Sequence, residues 1–153
     1  MVTGKFIVLG IHNILRWVVL GMGLFSLAKL FAGWFGKKTW KEHVQKSLFF
    51  YTVALDSQLL IGSLLYFIFS DLTRAAFSNI RNALSNPMLR FFTLEHALLM
   101  ILAIIFAHLG NSIGKKELLD DQKFIRVSIM IAISFIFLIA GIPWTSRPLL
   151  PLG

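Results

Sequence analysis

The sequence predicts an all-α fold, a four-helix transmembrane bundle (up-down-up-down) with a short interfacial helix between the second and third spans. Three observations predict it. Of 153 residues, 57% are hydrophobic and only 14% charged, with a mean hydropathy of +0.78; a soluble domain is near a quarter charged because it must wet its surface. Four apolar stretches, approximately residues 6–35, 48–69, 91–110 and 125–143, each approach the roughly 20 residues that cross a bilayer at about 1.5 Å per residue. A formal charge of +8 on so apolar a chain points to anionic lipid before nucleic acid. With no repeat or composition shift, residues 1–153 read as a single transmembrane domain.

The first stretch carries His12, Asn13, Arg16 and Lys29. It is too long for a cleavable signal peptide and lacks a small-residue cleavage site; it stops at Trp34, Lys37, Lys38 and Lys41, as at an interface. The second carries Asp56 and Gln58, and the third carries Glu95, His96 and His108. Residues 127–142 of the fourth have no charged side chain. Thr39-Trp-Lys-Glu42 has capping-box spacing, so the second helix is expected to begin before the membrane. Between spans two and three, Leu72, Ala76, Phe77, Ile80 and Leu84 repeat at helical spacing, with Arg74 and Arg81 on the other side. That is the pattern of a helix lying in the interface. Asn86-Pro87 and Pro143 punctuate the third and fourth spans.

Basic residues set the orientation. The loops after spans one and three hold eight (Lys37, Lys38, Lys41, Lys46, Lys115, Lys116, Lys123, Arg126), and the other side holds five (Lys5, Arg74, Arg81, Arg90, Arg147). The excess predicts both termini outside.

A charge in hydrocarbon costs several kcal/mol, so an intramembrane ionisable residue needs a partner or a task. His12 lies about 9 Å into the first span and His96 about 7 Å into the third, entering from the same side. Alternating helices one and three sit diagonally across a bundle, so the two imidazoles face one another at one level. Two neutral imidazoles on facing helices are what the iron of a b-type haem takes as axial ligands. Arg16, one turn from His12, and the outer Arg74, Arg81 and Arg90 would balance propionates. The alternative is that both histidines are hydrogen-bonded bundle residues. A second haem on His43 and His108 is disfavoured, because His96 and His108 lie about 120° apart around their helix; one haem is expected.

Arg16 reaches toward Asp56 or Glu95 as a structural ion pair; alternatively Asp56 and Glu95, with Gln58 and His108 in the same polar core, pass protons to or from a quinol. The segment Pro143-Trp-Thr-Ser-Arg147-Pro148 is an interfacial anchor or a wall of the outer site. The absence of cysteine excludes disulfides, thiolate metal sites and covalent c-type haem. No Gly-rich phosphate loop, serine elbow or His-Glu-x-x-His motif is present, so no catalytic residue is assigned. The basic residues flank helices on both sides, against nucleic-acid binding.

The stretches His12-Asn-Ile-Leu-Arg16-Trp17, Leu89-Arg-Phe-Phe-Thr-Leu-Glu95-His96 and Ile142-Pro-Trp-Thr-Ser-Arg147-Pro148 together resemble small four-helix bacterial inner-membrane proteins labelled cytochrome b or cytochrome b561-like. The resemblance covers most of the chain. It implies a bacterial inner (cytoplasmic) membrane, in which the basic-residue excess would put both termini in the periplasm, and a ligand role for His12 and His96. The b561 type carries two haems on shared helix faces, from which the angular mismatch of His96 and His108 departs.

The expectation is a membrane b-type haem electron-transfer protein, or the membrane subunit of a redox complex, exchanging electrons with quinol or a periplasmic partner. The site would be His12, His96, Arg16, Arg81 and Arg147, with haem b and a quinone as cofactors. With little mass outside the bilayer, a homo-oligomer or a redox-complex partner is expected. The competing readings are a haem-free binding or transport protein, and an accessory subunit whose polar groups fix helix register. An absorption spectrum separates the first from both.

Overall fold

The computed structural model describes residues 2–144. All its regular structure is helical: α1 (Val2–Phe35), α2 (Glu42–Leu64), α3 (Asp71–Ser78), α4 (Ile80–Ser85), α5 (Pro87–Arg90), α6 (His96–Gly114) and α7 (Asp120–Ala140). Two π-helical turns, Leu65–Phe69 and Phe91–Glu95, extend α2 and precede α6. Four helices are long and apolar enough to cross a membrane. They form a ring in which α1 touches α2, α2 touches α6, α6 touches α7 and α7 closes on α1. Helices α1 and α6 therefore stand on a diagonal, and short connections after α1 and α6 turn successive helices antiparallel.

Close packing and internal hydrogen bonds hold the bundle together. Tyr51, Leu30, Leu48, Phe124 and Ile131 are fully buried. The Ser134 hydroxyl donates to the Ala103 carbonyl at 2.7 Å, which makes Tyr51 the donor of its 3.0 Å bond to Ser134. Helices α2, α7 and α6 are thereby pinned at one point. Gln45 donates to Asn111 Oδ1 at 2.6 Å, tying the start of α2 to the end of α6.

A methyl group at Gly33 would overlap the ring of Phe124, itself 1% exposed and packed on Trp40 with ring centres 4.9 Å apart. The ring has nowhere to go, so overpacking applies. Gly33→Val is expected to lower stability by about 1–3 kcal/mol, read as a lower thermal unfolding midpoint in detergent.

Two local features differ from the sequence expectation. The interfacial helix is broken in two, α3 and α4. Asn79 leaves helical geometry and caps α4 by accepting from Asn82 N, as Ser70 caps α3 and Asn86 caps α5 ahead of Pro87. These short polar side chains compete for backbone donors and favour caps over helix interiors. The break turns Ala76 and Ala83 inward and leaves Phe77, Ile80 and Leu84 exposed. Helix α2 also starts at Glu42 with Lys41 before it and no side-chain cap, so Thr39 does not serve as the cap.

Candidate functional site

A cavity of about 600 Å³ lies under α3 and α5, bounded by α1, α2, α6 and α7. That lies within the range of small-molecule and cofactor pockets, about 300–1,000 Å³. Its chemistry comes from His12, Arg16, Gln58, Tyr66 and His96, with Lys5 and Asp71 at the outer rim.

His12 and His96 meet across it. Their ring centres are 6.4 Å apart and their planes are inclined by 65°. His96 Nδ1 lies 2.7 Å from the Gly141 carbonyl, which can only accept. The proton of neutral His96 is thus on Nδ1, and Nε2 keeps its lone pair. An imidazole whose far nitrogen is tied to a backbone carbonyl has the tautomer and fixed orientation of a metal ligand.

His12 is held differently. Gln58 Nε2 donates to the His12 carbonyl at 3.0 Å and lies 3.2 Å from His12 Nε2. His12 Nδ1 and Gln58 Oε1 are buried with no hydrogen-bond partner among the described residues. A buried polar atom without a partner carries a desolvation cost of about 1–3 kcal/mol. Both residues line the cavity, and the described residues supply these two atoms with no partner. Gly62 makes the room, since a Cβ there would come within 3.3 Å of His12 Cε1.

Helix geometry explains which residues reach the cavity. Gln58, Gly62, Tyr66 and Ser70 line it from one side, and Met88, Phe92, His96 and Met100 from the other. Both sets are spaced by four. In a regular α-helix a four-residue repeat drifts about 40° per step, so such residues would spiral away. The π turns at Leu65–Phe69 and Phe91–Glu95 are wider and cancel the drift. They are bonded together as well, because Tyr66 donates to the Thr93 carbonyl at 2.7 Å and Thr73 to the Tyr66 carbonyl at 2.6 Å. At the rim Asp71 pairs with both Lys5 and Arg74. Hydrogen bonds from these two cations hold its carboxyl below the usual carboxylate range.

The other residues singled out in the sequence lie elsewhere. Arg16 is 6% exposed and lines the cavity. Arg81 is exposed on α4 and is not among the lining residues. Arg147 lies outside the described residues, as do Thr145, Ser146 and Pro148. Of the expected polar core only Gln58 faces the cavity. Glu95 is bonded to Arg90 at 2.6 Å on the exposed side, so it is not the partner expected for Arg16. Asp56 is bonded to His108 at 2.9 Å on the outer surface of the bundle. Asp56 is two residues from Gln58, about 200° around the helix, so the two cannot share a face. His43 lines a second cavity of about 470 Å³ at the end of the bundle where α1 meets α2, with Lys29, Lys38 and Lys41.

What can this arrangement hold? Among the described residues no three His, Asp or Glu side chains converge as an all-protein metal site requires. A haem brings its own equatorial nitrogens and asks the protein only for axial ligands. Two imidazoles sharing one metal through bonds of about 2 Å have ring centres about 6 Å apart, which the 6.4 Å separation matches. The donor set fits, provided the Gln58 amide moves off His12 Nε2. No protein-family model, curated protein or solved structure matches the chain, so the site's own geometry has to carry any functional reading.

Proposed function

We propose that the chain is a membrane-spanning b-type haem electron-transfer protein, or the membrane subunit of a redox complex, with His12 and His96 as the axial ligands. One observation carries this reading: the two imidazoles stand 6.4 Å apart over a cavity of about 600 Å³, with His96 anchored through Nδ1. Haem supplies a reversible one-electron couple when bound. The chain's residues do the rest. The Gly141 carbonyl fixes the orientation of His96 through Nδ1 and leaves Nε2 with its lone pair. Arg16 places a buried positive charge in the same cavity, the counterpart an ionised carboxylate needs. Tyr66 and Thr73 lock the two π turns that aim the lining residues. On this reading the site lies in a bacterial inner membrane with both termini outside, where quinol or a periplasmic partner would exchange electrons; four helices long and apolar enough to cross a membrane support its membrane part.

A haem-free reading has its own support. Gln58 already satisfies His12 Nε2, so the cavity suits a small polar ligand held by Gln58, His12 and Arg16. The reduced-minus-oxidised spectrum of protein purified from haem-replete cells decides between them. A sharp α band in stoichiometric amount is expected; its absence leaves the haem-free reading.

A further inference from the structure

The bonded pair Asp56–His108 belongs to no site so far described, and its position is costly. Asp56 is fourteen residues from one end of the apolar helical stretch Glu42–Phe69 and thirteen from the other, so it lies near the middle of any bilayer the helix crosses. Yet Asp56 is 49% and His108 50% exposed, facing outward from the seam between α2 and α6. Around them Phe49, Val53 and Leu60 on α2, with Ile101 and Ile105 on α6, are exposed and apolar. Hydrocarbon offers such a pair neither a donor nor an acceptor.

We infer that this seam is the interface of a two-fold homodimer, with Asp56–His108 of each copy bonded to His108–Asp56 of the other. The bond within one copy uses His108 Nε2 and Asp56 Oδ1, and leaves His108 Nδ1 and Asp56 Oδ2 without a partner among the described residues. With one proton shared the pair is neutral. It then presents one outward donor, the imidazole Nδ1–H, and one outward acceptor, the second carboxylate oxygen. That set is its own complement. A second copy turned about an axis along the membrane normal supplies both groups at the same depth, because every copy inserts the same way. The apolar side chains around the pair then close a small-patch helix interface of the kind polar groups hold together in lipid. This inference rests on the four helices crossing a bilayer and is independent of the cofactor.

The absence of cysteine makes the test clean. Ile105→Cys places a single thiol one turn from His108, nine residues from the inner end of α6. Ile129→Cys places one on the exposed face of α7, nine residues from its start, as a depth-matched control. In native membranes under mild oxidation, Ile105→Cys is expected to cross-link to a dimer and Ile129→Cys to stay monomeric. In lipid nanodiscs the unmodified protein is expected to be a dimer by native mass spectrometry. Asp56→Leu and His108→Leu should each weaken it by about tenfold or more, the loss of two interfacial hydrogen bonds, with helical circular dichroism unchanged. A monomer in nanodiscs, cross-linking through Ile129 rather than Ile105, a dimer untouched by both leucine variants, or a pairing only with a different protein would each overturn the interface. The haem spectrum is unaffected by that outcome, so this test and that of the proposed function fail separately.

Discussion

His96→Ala is expected to abolish the reduced α band and bring bound haem to background, and His12→Ala to do the same. Each would remove one of the two nitrogens proposed to hold the haem iron, from a pair of rings 6.4 Å apart. Outer partners of metal ligands alone are worth about 10–100-fold in affinity, so loss of a ligand should exceed about 100-fold. Glu95→Gln, on the Arg90 side outside the cavity, should leave the band intact. Added imidazole should restore part of the band to His96→Ala, because the cavity left by the side chain admits a free ring. A merely structural histidine would show no such rescue. A full band in either alanine variant would remove that residue from the ligand set.

The second large effect is expected at Gly62. Its missing side chain is the space beside His12, and even a Cβ would sit 3.3 Å from His12 Cε1. Gly62→Leu sends three further carbons into the cavity and against the imidazole. Haem content should fall at least about tenfold, while the apoprotein keeps or gains thermal stability, because apolar atoms fill a void. The two readouts, pigment per protein and unfolding midpoint, must move in different directions. If pigment and stability fall together, Gly62 serves packing and not the site.

Much of the bundle was legible in the sequence. Long apolar runs need no tertiary information, and the four long apolar helices follow from them, although the second begins at Glu42 and the fourth at Asp120, ahead of the expected starts at 48 and 125. The facing of His12 and His96 follows from counting depth along two helices that enter from one side. Other features depend on local geometry that composition does not report. Asn79 sits amid a helical repeat, and its own side chain ends one short helix to start the next. Asp56 and Gln58 are separated by a single residue and face opposite ways, so grouping polar residues by depth merged what angle separates. The four-residue spacings from Gln58 to Ser70 and from Met88 to Met100 were visible, but in a regular helix they denote no common face. Only the two π turns turn them into one wall, and no residue type demands those turns.

The ion pairs at the outer rim have a consequence for access. The cover formed by the short helices is tied to α1 through Lys5 and Asp71, and to the wall by the Tyr66 and Thr73 hydrogen bonds. Exposed ion pairs weaken as electrolyte screens them, whereas hydrogen bonds away from water hardly respond. Rising ionic strength is therefore expected to loosen the Lys5–Asp71 edge of the roof and to leave the edge held by Tyr66 and Thr73 fastened.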